Sequence, residues 1–501
     1  MREDFLDEFK KLSNSGKNAL ICEDEIYTWR NYYELSINFA KNILEYNCQK
    51  KSIAIISNNC PKYYISIMGT IIAGSIYTGI FPTSSSDEIK HIIETSETEI
   101  LCVQNYNILN SFSILFPLKL IILFDDEPID SLYQSIKIIN VKDLFYNKSN
   151  NLLPIINQSD IINYVFTSGT TGKSKCVMRS YDFYKENTKK IVEIFDMKNE
   201  KTISYLPSSH VFDLDLILFP HFLHQGEIHF SKNNITNSTN NFFNFIELIK
   251  PTMLIGVPRI WEKINENKEW EKLKKCRLPI CSGAVLSPEI EQSFLQNNIK
   301  IFIMYGMSET GLISANNSEN NMTQSVGKIY SKSLKIAPDG EILCKNKFCG
   351  YKNNPDANAE FKDSEGWLHT GDCGIIEKEF LFIIGRKKEL IITSTGKKIN
   401  PNKIENKIKI LLPNINNLIL VGDSQKFLSL LIFNKQTSNV EIEKAINSYN
   451  LNADCHSETI QKYLVINDDL TTENGFLTKS LKLRRNEIIN HYKEEINIFY
   501  K

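Results

Sequence analysis

Between Tyr164 and Lys175 the chain reads Tyr-Val-Phe-Thr-Ser-Gly-Thr-Thr-Gly-Lys-Ser-Lys, so that glycines, hydroxyls and lysines follow directly on an apolar run. Such a loop suits phosphate. Glycines let successive backbone N–H groups turn toward an anion, hydroxyls add donors, and Lys173 and Lys175 bring positive charge to where a polyphosphate would lie. The tail Gly172-Lys173-Ser174 is not a Walker A loop, because that motif needs a glycine five residues before Gly172 and Thr167 stands there. The chemistry implied is binding of nucleotide phosphates by another kind of loop. A ligand-free hairpin turn, in which the same residue types are common, is the plain alternative.

Three more segments follow in order: Tyr305-Gly-Met-Ser-Glu-Thr310, His369-Thr-Gly-Asp372 and Gly385-Arg-Lys-Lys-Glu-Leu-Ile-Ile-Thr393. With the phosphate loop they resemble the successive core motifs of the adenylate-forming superfamily, which includes acyl-CoA synthetases, adenylation domains and luciferases. The likeness runs from about Ala19 onward. Tyr205-Leu-Pro-Ser-Ser-His-Val-Phe212, Pro251-Thr-Met-Leu-Ile-Gly-Val-Pro-Arg-Ile-Trp-Glu-Lys263 and Leu477-Thr-Lys-Ser-Leu-Lys-Leu-Arg484 are most similar to the long-chain acyl-CoA synthetase branch.

A carboxylate is a poor acyl donor because its leaving group would be oxide, so such an enzyme first activates the acid. Attack on the α-phosphate of ATP gives an acyl-adenylate and pyrophosphate; a thiol then displaces AMP. The protein's part is alignment and stabilisation of developing charge. The resemblance implies that Thr167, Ser168, Gly169, Thr170, Thr171, Gly172 and Lys175 embrace the phosphates, and that Glu309, with Thr170, holds Mg²⁺. Tyr305 and Gly306 would carry the adenine beside the backbone of Ser282, Gly283 and Ala284. Asp372 would take the ribose hydroxyls, with Arg386 at ribose and phosphate. Lys482 matches the catalytic lysine; Thr310 and His210 complete the catalytic set, His210 lining the acid pocket with Gly256, Val257 and Arg259 nearby. Gly396 would line the tunnel for the pantetheine of CoA or of a carrier protein, where close backbone approach leaves no room for a side chain, and Lys388 matches the family's hinge.

Asp213 is ambiguous, since amino-acid adenylating relatives place an aspartate after Phe to hold the substrate ammonium; His210 and the Val-Pro-Arg-Ile-Trp-Glu-Lys segment favour a fatty or related apolar acid. The chain departs from the family at Cys176, where glycine is usual, at Tyr181, where histidine is common, at Lys479-Ser480 in place of Pro-Thr, and in the short linker from Trp261 to Arg277. The leading expectation is an ATP-dependent, AMP-forming ligase joining a small-molecule carboxylic acid to CoA. The alternatives are an acyl- or amino-acid-AMP ligase that loads an acyl carrier protein, and a non-catalytic nucleotide-binding regulator.

These groups need a scaffold. At 501 residues the chain is long enough for at least two domains. Helical patterns such as residues 29–46 alternate with short apolar runs at 52–56, 99–103 and 118–124, the pattern of a largely parallel α/β sheet. A second set follows at 203–206, 227–230, 252–255, 278–281 and 301–304. Gly-punctuated runs from 331 to 384 suggest an antiparallel β region, and the tail from Glu389 a small α+β unit. The expected fold is therefore α/β: a large N-terminal domain of helix-flanked sheets plus a β region, residues 1–386, and a small mobile α+β domain, residues 387–501.

A formal net charge of −1 gives no electrostatic case for nucleic acid. Eleven cysteines without a disulfide-like rhythm, and an acidic start with no apolar leader, fit a reducing cytoplasm. Cys276/Cys281 and Cys344/Cys349 share a spacing that could suggest zinc. Leu278 to Ser282 reads as a strand entering a loop, however, and an odd offset within a strand sends side chains to opposite faces. His221 and His224 read as helix residues. The uncharged run 63–86 could span a bilayer on length, yet Gly69, Gly74 and Gly79 punctuate it, and it reads as a buried helix turning into a buried strand. Peripheral contact with membranes is left open by the sequence.

Overall fold

The computed structural model describes residues 5–112, 118–127, 136–167, 173–232, 238–412, 414–415, 417–433, 437–453, 455–471, 474–477 and 483–501. The chain forms two compact units: Met1–Leu334 with Cys344–His369 and Glu377–Leu381, and Lys335–Leu343 with Thr370–Ile376 and Phe382–Lys501.

In the first unit, the helix Trp29–Ile43 starts at a reciprocal cap in which Thr28 and Asn31 satisfy each other's backbone N–H groups. It buries Trp29, Tyr32, Leu35, Phe39 and Ile43, the three-and-four spacing of one helix face. The run from residue 63 folds as the buried helix Pro61–Ile72 and the buried strand Ile76–Ile80. Gly69 is required where these helices cross, because a β-carbon there would lie 2.5 Å from the Phe39 ring. Among the described residues no helix is long and apolar enough to cross a membrane.

Two sheets carry the unit. One runs Lys137–Asn140, Leu120–Leu123, Ile100–Val103, Ser52–Ile56, Ile76–Ile80, Ile161–Thr167, Lys175–Ser180, parallel until the last pair. The other runs Glu25–Thr28, Asn18–Cys22, Glu227–Phe230, Lys201–Ile203, Met253–Gly256, Leu278–Cys281, Phe302–Met307, Gly311–Ala315, parallel from Asn18–Cys22 through Phe302–Met307. Segments leaving the carboxyl ends of parallel strands are where ligands bind in such sheets. Those ends release His210, Val257 and Ser282, and Tyr305 lies toward the end of its strand.

The 331–384 stretch holds the strands Leu334–Ile336, Glu341–Cys344, Leu368–Glu377 and Phe380–Arg386, as expected, but also a helix, Pro355–Phe361, that the Gly-punctuated pattern concealed. Its signal is Asn354 accepting from Ala357 N–H with proline at the first turn.

In the second unit, Asn417–Val421, Leu428–Phe433 and Ile460–Ile466 form a three-stranded sheet. Alternation sorts its two faces: Leu418, Leu420, Leu430 and Ile432 pack with Ile404, Ile408, Ile442 and Ile446 of the helices Pro401–Leu411 and Asn439–Leu451. Ile419, Val421, Leu431 and Phe433 pack with Ile488, Tyr492 and Ile496. Arg485, which the local sequence makes look like part of a solvated basic run, is instead buried on Glu405, with Nη1 2.6 Å and Nη2 2.7 Å from its two oxygens.

Candidate active site

The phosphate loop joins the antiparallel strands Ile161–Thr167 and Lys175–Ser180, paired to their ends at Thr167 and Lys175. Ser168, Gly169, Thr170, Thr171 and Gly172 lie outside the described residues, as does Lys482. The strand that follows the loop gains a further partner: Met178 N–H donates to Gly350 O and Lys352 N–H to Cys176 O, at 2.9 Å each. This brings Tyr351 into the site. The Lys175 ammonium lies 5.1 Å from the centre of its ring.

Tyr305 to Thr310 forms most of a hairpin between Phe302–Met307 and Gly311–Ala315, with Glu309 in the turn. Gly311 takes φ +64°, the left-handed residue such short connections need. Gly306 admits no side chain, because a β-carbon would lie 2.4 Å from Gly311 O. Glu309 is buried, and its Oε1 accepts from the Tyr351 hydroxyl at 2.9 Å. No bond to Oε2 is formed among the described residues. Burial and the Glu309 carboxylate push the Tyr351 phenol far up, so it stays a proton donor. The Thr310 hydroxyl is buried and turned onto Gly311 O, 3.0 Å away.

On the acid side, His210 caps the turn Val211–Asp213, its Nδ1 accepting from Phe212 N–H at 3.3 Å, and its ring stacks on Phe212 at 5.2 Å. Gly283, at φ +89°, faces the Phe212 ring, which would lie 3.0 Å from a β-carbon there, with Val257 3.6 Å away. Ser282 N–H donates to Gly256 O, and Ala284 is exposed. His210, Val257 and Gly283 thus meet around Phe212. Arg259, two residues after Val257, is exposed, and its guanidinium pairs with Glu262 and Glu266 at 3.2 and 3.0 Å.

Asp213 points the other way, into the core. It is fully buried, accepting from the Tyr64 hydroxyl and, at 3.2 Å, from Ser204. Burial raises its pKa to about 7 despite those donors. His221 and His224 lie in the helix Phe219–His224, and burial pushes His221 down to about 4, leaving it neutral. All eleven cysteines are free, and no cluster able to hold a metal occurs among the described residues.

In the second unit, Asp372 is buried and Arg386 Nε lies 3.0 Å from its Oδ1. Gly371, at φ +71°, gives its N–H to Glu341, which also accepts from Lys387 at 2.8 Å. Gly396 turns the chain at φ +80°, its N–H on Thr393 O at 2.8 Å, and a β-carbon there would meet nothing within 4 Å. The backbone conformation, and not crowding within the chain, is what calls for glycine at this position.

Residues 10–343 match the AMP-binding enzyme family and residues 388–501 the AMP-binding enzyme C-terminal domain. The chain belongs to this family. It is similar to curated long-chain-fatty-acid–CoA ligases. It is 27% identical to the Bos taurus ligase over 99% of this chain and 84% of that protein. With the Xenopus laevis ligase it shares 26% over 95% and 80%. The fold matches the anthranilate CoA ligase AuaEII in complex with anthranoyl-AMP at TM-score 0.85, 15% identity, 99% of this chain and 98% of that one. It matches ATP-bound MatB from Rhodopseudomonas palustris at TM-score 0.81, 18% identity and 99% of each chain.

The side chains fit what an AMP-binding enzyme must hold. A buried carboxylate with one oxygen fixed by a phenol suits a cation preferring carboxylate and phosphate oxygens together. Lys175 adjoins the loop, a placement that suits an anionic ligand. Tyr351 is a residue that sequence reading missed: it comes beside Glu309 and Lys175 through a pairing of residues 350–352 with 176–178, segments more than a hundred residues apart.

Proposed function

We propose that this protein is an ATP-dependent, AMP-forming ligase that activates a fatty acid and passes the acyl group to CoA. The observation carrying the reading is the convergence of Lys175, Tyr351 and Glu309 where the phosphate hairpin meets the Tyr305–Thr310 turn. The acid's carboxylate oxygen attacks the α-phosphorus of ATP and pyrophosphate departs; the thiol sulfur then attacks the acyl carbonyl and AMP departs.

Lys175, with the loop residues 167–172, binds and orients the phosphates. Mg²⁺ held by Glu309 and Thr170 would neutralise charge developing on them. Tyr351 keeps the Glu309 carboxylate oriented. Lys482 bridges the carboxylate and the α-phosphate, offsetting the repulsion between two anions in a dry site. Thr310 fixes the turn around Glu309, and Tyr305 and Gly306, with Ser282, Gly283 and Ala284, hold the base. Asp372, oriented by Arg386, takes the ribose, and Gly396 borders the pantetheine path. His210, backed by Phe212, faces the acid. The adenylating part is residues 1–386 and the part carrying Lys482 is residues 387–501, with Lys388 as the pivot between half-reactions.

Burial of Asp213 beneath Tyr64 speaks against an ammonium-bearing substrate. A fatty acid is supported by the resemblance to long-chain-fatty-acid–CoA ligases. Eleven free cysteines support a reducing, cytoplasmic setting. Acid-dependent ATP–pyrophosphate exchange across fatty, aromatic and amino acids, followed by AMP release with CoA or carrier protein, tests this. Fatty acids should lead, with CoA as acceptor; a preference for α-amino acids that Asp213→Ala removes would replace the reading.

A further inference from the structure

The mechanism above leaves the buried charge of Arg179 unused. Arg179 follows Lys175 by four residues on the strand Lys175–Ser180, and its side chain is 1% exposed. Its Nη1 lies 2.7 Å from Oδ1 of Asp215, its Nε donates to Ser308 O at 2.8 Å, and its Nη2 reaches Met307 O at 3.5 Å. The guanidinium lies 4.5 Å from the Phe183 ring centre and 5.3 Å from that of Tyr184, whose hydroxyl is 3.3 Å from Nη1. One side chain thereby ties together the strand leaving the phosphate loop, the helical segment that begins beside His210, and the two carbonyls just before Glu309.

We propose that the Arg179–Asp215 pair is a positioning device for the Mg²⁺-binding turn: it pins the Met307 and Ser308 carbonyls and so sets where the Glu309 carboxylate points. The inference rests on Glu309 holding Mg²⁺, as proposed above. Stability alone does not account for the pair, because a well-packed apolar pair of similar volume is often as stable as a buried ion pair, whereas breaking one partner leaves an uncompensated charge. What the guanidinium adds is direction. Its planar fork meets a carboxylate and two carbonyls at fixed angles, which neither an ammonium nor an apolar group reproduces. Asp215 holds the fork in the orientation that serves the turn.

The test compares full-length wild type with Arg179→Lys, which keeps the charge beside Asp215 but loses the fork, and with the double variant Arg179→Met/Asp215→Leu, which removes both charges together. Mn²⁺ affinity is read by electron paramagnetic resonance in the presence of a non-hydrolysable ATP analogue, thermal midpoint by calorimetry, and KM separately for Mg·ATP and acid. Both variants should bind Mn²⁺ about ten- to a hundredfold more weakly, the effect of losing a group that orients a metal ligand. The double variant should keep a thermal midpoint close to wild type, and KM should rise for Mg·ATP more than for acid. Wild-type Mn²⁺ affinity in either folded variant overturns the proposal; should the double variant fail to fold, Arg179→Lys decides. Glu309→Gln is the control. If it too binds Mn²⁺ like wild type, the assignment of Glu309 falls first, and this one with it.

Discussion

Asp213 lies beside Phe212 in sequence but turns into the core between Tyr64 and Ser204, where burial lifts its pKa from 3.8 to about 7. A carboxyl raised in this way holds its proton in the folded state while the unfolded chain has lost it. Its contribution to stability is therefore most favourable below about pH 4 and declines as pH rises to about 7, with the penalty fully present above that. Asp213→Asn should flatten this part of the stability–pH curve and stabilise the protein at pH 8 by on the order of a few kcal/mol, read from urea unfolding. An unchanged slope between pH 4 and 7 would place the titration elsewhere. Tyr351→Phe removes only the hydroxyl on Glu309. It should lower kcat/KM for Mg·ATP by about tenfold with little change in thermal midpoint, the scale of losing a hydrogen bond to a charged group. Glu309 and Lys175 could be singled out from sequence because their neighbours carry the motif. Tyr351 was not, because only the pairing of residues 350–352 with 176–178 gives it a role.

Among elements, strands of the parallel sheets were legible as short apolar runs, as at 52–56 and 99–103, and the helix Trp29–Ile43 by its helical spacing. Pro355–Phe361 went unread because Gly350 and Gly366 on either side suggested strands and turns. Arg485 was hidden for another reason: a basic run reads as solvated until Glu405, 80 residues earlier, arrives beside it. The bidentate pair holds the start of the helix Arg485–His491 on the helix Pro401–Leu411. Glu405→Ala, which leaves the guanidinium buried and unpaired, should cost about 3–5 kcal/mol. Calorimetry on the full-length protein checks this; a loss below about 1 kcal/mol, typical of exposed pairs, would show that the charge escapes to solvent.

For the whole molecule, length called for at least two domains, expected at 1–386 and 387–501; of the two compact units the chain forms, the second takes in Lys335–Leu343 and Thr370–Ile376 as well as the chain from Phe382. Sequence order could not disclose that interleaving, since it arises when distant strands join. Proposing Lys388 as the pivot between half-reactions predicts that Lys388→Pro, by fixing φ there, keeps pyrophosphate exchange and loses thioester formation; equal loss in both steps would remove the hinge assignment. The central claim concerns which bond the acid makes first. A fatty acid labelled with ¹⁸O in its carboxylate, incubated with ATP, Mg²⁺, CoA and the protein, reports it by mass spectrometry of the products. The account predicts one labelled oxygen in the phosphate of AMP, alongside acyl-CoA; label in inorganic phosphate with ADP as co-product, or no acid-dependent AMP, would contradict it.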